Sequence, residues 1–167
     1  MVCRECSVSK LMGYRSEVLC AVGFPTRDKL VQYMTLHRLK DYPHDTRILI
    51  DEFISKAKII EGDGHAVAFH QYNDIKWYEN YEDIQFISQF ITGACEHDNQ
   101  AVGKIVRIGD EQGDIDNDTY DQIPSDGNHD VYDALDSLFY PVSYVCIDIP
   151  EGELQQSKTI GELNETK

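Results

Sequence analysis

A chain of 167 residues, 41% of them apolar, has room for one packed domain and needs neither disulfides nor a structural metal to build its core. Its 30 Asp and Glu against 15 Lys and Arg give a formal charge of −15, which argues against direct contact with nucleic acid or anionic membranes and favours a basic protein partner. With no run of about 18 apolar residues, no apolar signal-peptide core at the N-terminus and an odd number of cysteines, the chain is expected to be cytoplasmic, with reduced thiols.

Residues 1 to 11 have no period and are expected to form a disordered extension, with translation starting at Met12. Cys3 and Cys6 within it have CxxC spacing, but no second pair completes a zinc site, and no role follows. Tyr14 to Phe24 is rich in strand formers and ends at Pro25. Thr26 then caps a helix running to about Lys40. After Tyr42-Pro43, Ile48, Leu49, Phe53, Ile54, Ala57 and Ile60 recur near helical spacing and predict a second helix, with a strand over 47–50 as the alternative. Glu61 to Gly64 reads as a turn, and His65 to Tyr72 as a strand continuing, bulged, to Tyr78. Glu82 to Ala94 places Ile84, Ile87, Phe90 and Ile91 on one helical face, and Val102 to Ile108 and Tyr140 to Ile149 read as the third and fourth strands.

Between those last strands lies an acidic insertion, 110–136, with ten Asp or Glu and no Lys or Arg, so it carries −10; the remaining −5 is spread over the other 140 residues. Its acids are interleaved with Ile115, Tyr120, Ile123, Val131, Tyr132 and Leu135, which predicts a segment that folds back on the domain, with a short helix over Asp130 to Phe139 presenting carboxylates on one face. The expected architecture is α+β: a four-stranded sheet with two to three helices on one face, a ferredoxin-like variant spanning 12–150, followed by a flexible tail, 151–167.

Specific chemistry is sparse. Asp114, Asp116 and Asp118 match the first ligands of a calcium loop, but Thr119 and Ser125 stand where its glycine and bidentate glutamate belong, leaving only weak divalent-cation binding and no cofactor. His65, His70, His97 and His129 lack helical metal spacing, and no nucleophile elbow, phosphate loop or dinucleotide fingerprint is present, so no residue is assigned a catalytic role. Trp77 and Tyr78 form an aromatic cluster that suits either a protein interface or core packing. Spaced carboxylates on a rigid element can imitate nucleic-acid phosphates. The candidate partner-binding residues are therefore Asp110, Glu111, Asp114, Asp116, Asp118, Asp121, Asp133, Asp136, Trp77 and Tyr78.

Three blocks carry a family resemblance: Gly13-Tyr14-Arg15-Ser16-Glu17-Val18, Ile75-Lys76-Trp77-Tyr78-Glu79-Asn80-Tyr81-Glu82-Asp83-Ile84, and Val106-Arg107-Ile108-Gly109-Asp110 followed by Asp114-Ile115-Asp116. Together they resemble small acidic proteins of tailed bacteriophages and prophages. The likeness runs from about Met12 to Asp118 and leaves out the residues on either side. It implies a phage source and supplies no catalytic residues. A non-enzymatic inhibitor that binds a host protein with a basic surface, such as a defence nuclease, a CRISPR effector or the transcription machinery, is the leading expectation. A divalent-metal protein or metal-dependent enzyme using the Asp114 to Asp121 carboxylates, and a homo-oligomeric virion assembly component, are the alternatives.

Overall fold

The structure is a computed structural model in which residues 15–109, 114–140 and 158–159 are described, the last pair by backbone alone. Its elements in chain order are β1 (Ser16–Phe24), α1 (Arg27–Leu39), α2 (His44–Lys56), β2 (Lys58–Gly62), β3 (His65–Ile75), α3 (Glu82–His97), β4 (Val102–Gly109), β5 (Ile115–Asp121), α4 (Asp130–Phe139) and β6 (Lys158–Thr159). The extension 1–11 with Cys3 and Cys6, residues 141–149 of the expected fourth strand, and all of the tail except 158–159 lie outside the described residues.

The strands form one antiparallel sheet in the order β5-β4-β1-β3-β2, to which the two residues of β6 add at the β2 edge. β1 is central, paired with β3 on one side and β4 on the other. Its SEVLCAVGF is buried at every position except Glu17, as expected of a strand covered on both faces. The first four strands follow β4-β1-β3-β2 with crossovers through α1–α2 and through α3, roughly the split β-α-β arrangement expected.

Two features of the expected architecture need correction. Among the described residues the sheet has five strands of five residues or more, where four were expected in all, because β2 and β5 are strands that the sequence reading did not assign. Helix α2 stops at Lys56, and Ile60, expected on its apolar stripe, lies with Ile59 on β2, where the two face opposite sides of the sheet. The helices also cover both faces. Helices α1, α2 and α3 pack on the face carrying Val18, Cys20, Val22, Ala66 and Ala68, whereas α4 buries Val131, Leu135, Leu138 and Phe139 against Leu19, Ala21, Val67, Phe69, Val102 and Val106. The central strands are apolar on both sides, so a single helical layer would have left the second face in water. At about 1.5–3 kcal/mol for each large apolar side chain removed from water, four such residues are enough to fix α4 in place.

Local signals explain the better-read elements. The Thr26 hydroxyl accepts from the Lys29 backbone N–H at 3.4 Å, and Asp28 and Arg38 complement the dipole of α1 at its two ends. Tyr33 on α1 donates to the Phe90 carbonyl on α3 at 2.6 Å, tying the two helices together. Gly64 takes φ +74 in the β2–β3 turn. Strand β3 ends at Ile75, short of Tyr78, after a register irregularity opposite Ser16–Val18; Asp74 is left-handed there (φ 59) and its carbonyl accepts from Arg15 at 2.7 Å.

Candidate functional site: an acidic edge and a second face

From Asp114 onward the acidic insertion is folded. Asp114 leads into β5, which pairs with β4 along its length, and the chain then crosses one end of the sheet: Asp121 sits opposite Val102 at the start of β4, while the Asp130 carboxylate lies beside Gly64 in the β2–β3 turn. Helix α4 follows on the second face with its apolar side inward. The segment is thus held at the sheet edge, at the sheet end and on the second face.

Two cations from β4 neutralise part of it. The Arg107 guanidinium, with 14% of its side chain exposed, donates from Nη1 and Nη2 to both oxygens of Asp114 (3.0 and 2.7 Å), from Nε to Asp116 (2.8 Å) and from Nη1 to the Ser16 hydroxyl (3.3 Å). This forked geometry suits guanidinium and fixes the β4–β5 pair. Lys104 is buried on the face covered by α4; its Nζ donates to Asp136 Oδ1 at 2.9 Å and lies 5.3 Å from the centre of the Phe139 ring.

Of the predicted site residues, Asp114, Asp116 and Asp136 therefore have structural duties. Asp118, Asp121 and Asp133 are exposed and, like Asp126 and Asp130, have no ion-pair partner among the described residues. Among the described residues the Asp130 carboxylate accepts from Asn128 alone, its near neighbour. Asp110 and Glu111 lie outside the described residues. The calcium-like positions lie along an extended strand, with Asp114 and Asp116 turned to Arg107. Among the described residues no group of three or more His, Cys, Asp or Glu is gathered for a metal. Trp77 is partly buried and packs against the core beneath α1–α3, while Tyr78 makes an edge contact with Tyr81 at 5.2 Å; both follow the end of β3, which β1 and β4 separate from β5.

Sequence reasoning missed Lys104 and Arg107. A signal was available, since Lys104 is the one charge in the buried run Val102 to Val106, and a buried ammonium needs an anion close by. It also missed the state of two histidines. His70 on β3 stacks on Phe53 (centroids 4.0 Å apart), and burial, reinforced by the charge of Lys58, lowers it from 6.5 to about 3. His37 on α1 meets the edges of Phe90 and Tyr33, and burial, then Lys40 and His97, lower it to about 4. Each keeps one buried nitrogen without a partner, Nε2 of His70 and Nδ1 of His37, and each lines a cavity, of about 290 Å³ and about 330 Å³ respectively.

No family model, no curated protein and no solved structure matches the chain. Among the described residues no helix is long and apolar enough to cross a membrane.

Proposed function

We propose that the chain is a non-enzymatic, phage-type inhibitor that binds a host protein through the carboxylates of β5, the loop after it and α4, the target being a nucleic-acid-binding protein with a basic surface. The observation that supports this is the charge left over after folding. Arg107 and Lys104 offset Asp114, Asp116 and Asp136, yet Asp118, Asp121, Asp126, Asp130 and Asp133 stay exposed without a cation among the described residues. Exposed like charges cost stability through mutual repulsion and are retained where they steer a partner of opposite sign. Asp130 and Asp133, one helical turn apart on α4, hold their carboxylates on a rigid element, the arrangement that phosphate mimicry requires. The scaffold reads as a ferredoxin-like variant with an added strand and an added helix, working in the bacterial cytoplasm.

The test is capture from a bacterial lysate with the wild-type chain and with a variant carrying Asn at positions 118, 121, 126, 130 and 133. A stoichiometric, salt-sensitive partner held by the wild type and lost by the variant is the expected result. Recovery of no partner at low salt, or of the same partner by both chains, rejects the reading.

A further inference from the structure

The cavity beside His70 lies at the far edge of the sheet from β5, between α2, the β2–β3 edge and the start of α3, and the proposed function makes no use of it. Its volume, about 290 Å³, is close to the lower end of small-molecule pockets, which start at about 300 Å³. Leu49, Phe53, Ile75 and Ile87 supply apolar walls. Beside Gln71 and the charged residues of its rim, two polar rings line it, those of His70 and Tyr72, nearly parallel at 10°.

Both polar groups lack what folding normally provides. His70 is 9% exposed, and its Nε2 is buried without a hydrogen bond. Tyr72 is partly buried and its hydroxyl has no hydrogen-bond partner among the described residues, whereas the buried Tyr33 donates to Phe90. Leaving a buried polar group unpaired is costly, and such groups are few in native proteins, so the His70 nitrogen, with the unbonded Tyr72 hydroxyl beside it on the cavity wall, marks a place where another molecule completes the bonding.

Charge selects the class of that molecule. Burial holds His70 neutral and raises the Tyr72 phenol, so the interior offers two uncharged hydrogen-bonding groups. The rim carries Glu52, Asp83, Lys56 and Lys58, two of each sign, with Glu52 and Lys56 already paired to each other on α2. A ligand with a net charge would lose its hydration and meet no net countercharge.

We propose that this cavity binds a small, uncharged, largely apolar molecule, aromatic in the best case, whose single polar group is held by hydrogen bonds from His70 and Tyr72. The site is independent of the acidic edge, so the Asn variant described above retains it.

The experiment titrates the full chain with indole and 4-methylphenol as neutral probes and with benzoate and benzylamine as charged ones, following backbone amide shifts. Saturable shifts at Phe53 and at His70 to Ile75, with a Kd of about 1 mM or below for a neutral probe and binding at least about tenfold weaker for both charged ones, are expected. His70→Phe should weaken the neutral probe about tenfold, and Leu49→Trp, which fills the cavity from its partly exposed wall, should abolish binding. His37→Phe, in the other cavity, should leave binding unchanged. No saturable shift with either neutral probe overturns the proposal, as does equal affinity for a charged probe or unchanged affinity in Leu49→Trp.

Discussion

Replacing His70 by phenylalanine removes an acid sensitivity that the buried imidazole builds into the fold. Burial, with a smaller effect from Lys58, lowers His70 from 6.5 to about 3 in the native chain. Between those values the unfolded chain binds a proton that the native chain refuses, so the stability associated with this group is complete above about pH 6.5 and falls as pH drops towards 3. At about pH 4.5 the solution is about two pH units below the unfolded value, and at about 1.36 kcal/mol per unit the loss relative to pH 7.5 is about 2.7 kcal/mol. Phenylalanine keeps a ring on Phe53, and the adjoining cavity takes up the added volume. Urea unfolding followed by the fluorescence of Trp77, the single tryptophan, measures both chains at both pH values. All other titrating groups are shared, so carboxylates and His37 cancel in the comparison. The variant should lose less stability on acidification than the wild type, by about 2–3 kcal/mol. Parallel pH profiles for the two chains would refute the reasoning.

The pair that anchors α4 makes an asymmetric prediction: Asp136→Ala strands the buried Lys104 ammonium and should cost about 1–3 kcal/mol in urea unfolding, whereas Lys104→Met removes the charge together with its need for a partner and should cost less. The reverse order would contradict the pairing. A Cβ at Gly103 would run into the Ile91 carbonyl of α3, so Gly103→Ala should lower stability by about 1–3 kcal/mol, seen as a lower urea midpoint; an unchanged midpoint would show that α3 and β4 can separate freely. Burial pushes the Cys20 thiol up to about 12, against a weaker lowering by the His70 backbone, so Cys20 should resist iodoacetamide at neutral pH until the chain unfolds, as read by peptide mass spectrometry. Fast labelling in native buffer would contradict its burial.

Much of the fold was legible where local chemistry and packing agree. The Thr26 cap opens α1, the stripe Ile84, Ile87, Phe90 and Ile91 sets α3, and the spacing of Val131, Leu135 and Leu138 places α4 at Asp130–Phe139. The two missed strands fail for different reasons. At Ile59-Ile60, helical spacing inherited from Phe53 and Ala57 concealed a pair of residues that serve both faces of the sheet. Strand β5 has only Ile115 and Tyr120 as large apolar residues among Asp, Asn and Thr, a composition depleted in strands; pairing with β4 and the Arg107 fork override that preference. The second helical face was readable in principle, because apolar runs in β1 and β3 without alternation imply cover on both sides. In the candidate site the anions were visible in the sequence, but the cations that pair with Asp114, Asp116 and Asp136 were not. Lys104 reaches Asp136 across 32 positions, a contact that only the packing of α4 on β4 creates.

The position of β5 has a further consequence for the chain at high concentration. It is the outermost strand on its side of the sheet among the described residues, and an edge strand offers unpaired backbone groups to any second strand, the usual opening for fibril growth. Here that edge carries Asp116, Asp118 and Asp121 within seven residues. Two copies meeting edge to edge would set carboxylate against carboxylate before a single backbone bond could form, while a lysine-rich strand would meet no such barrier. Asp118 and Asp121, which the proposed function assigns to a basic partner, would thus also keep the protein from sticking to itself.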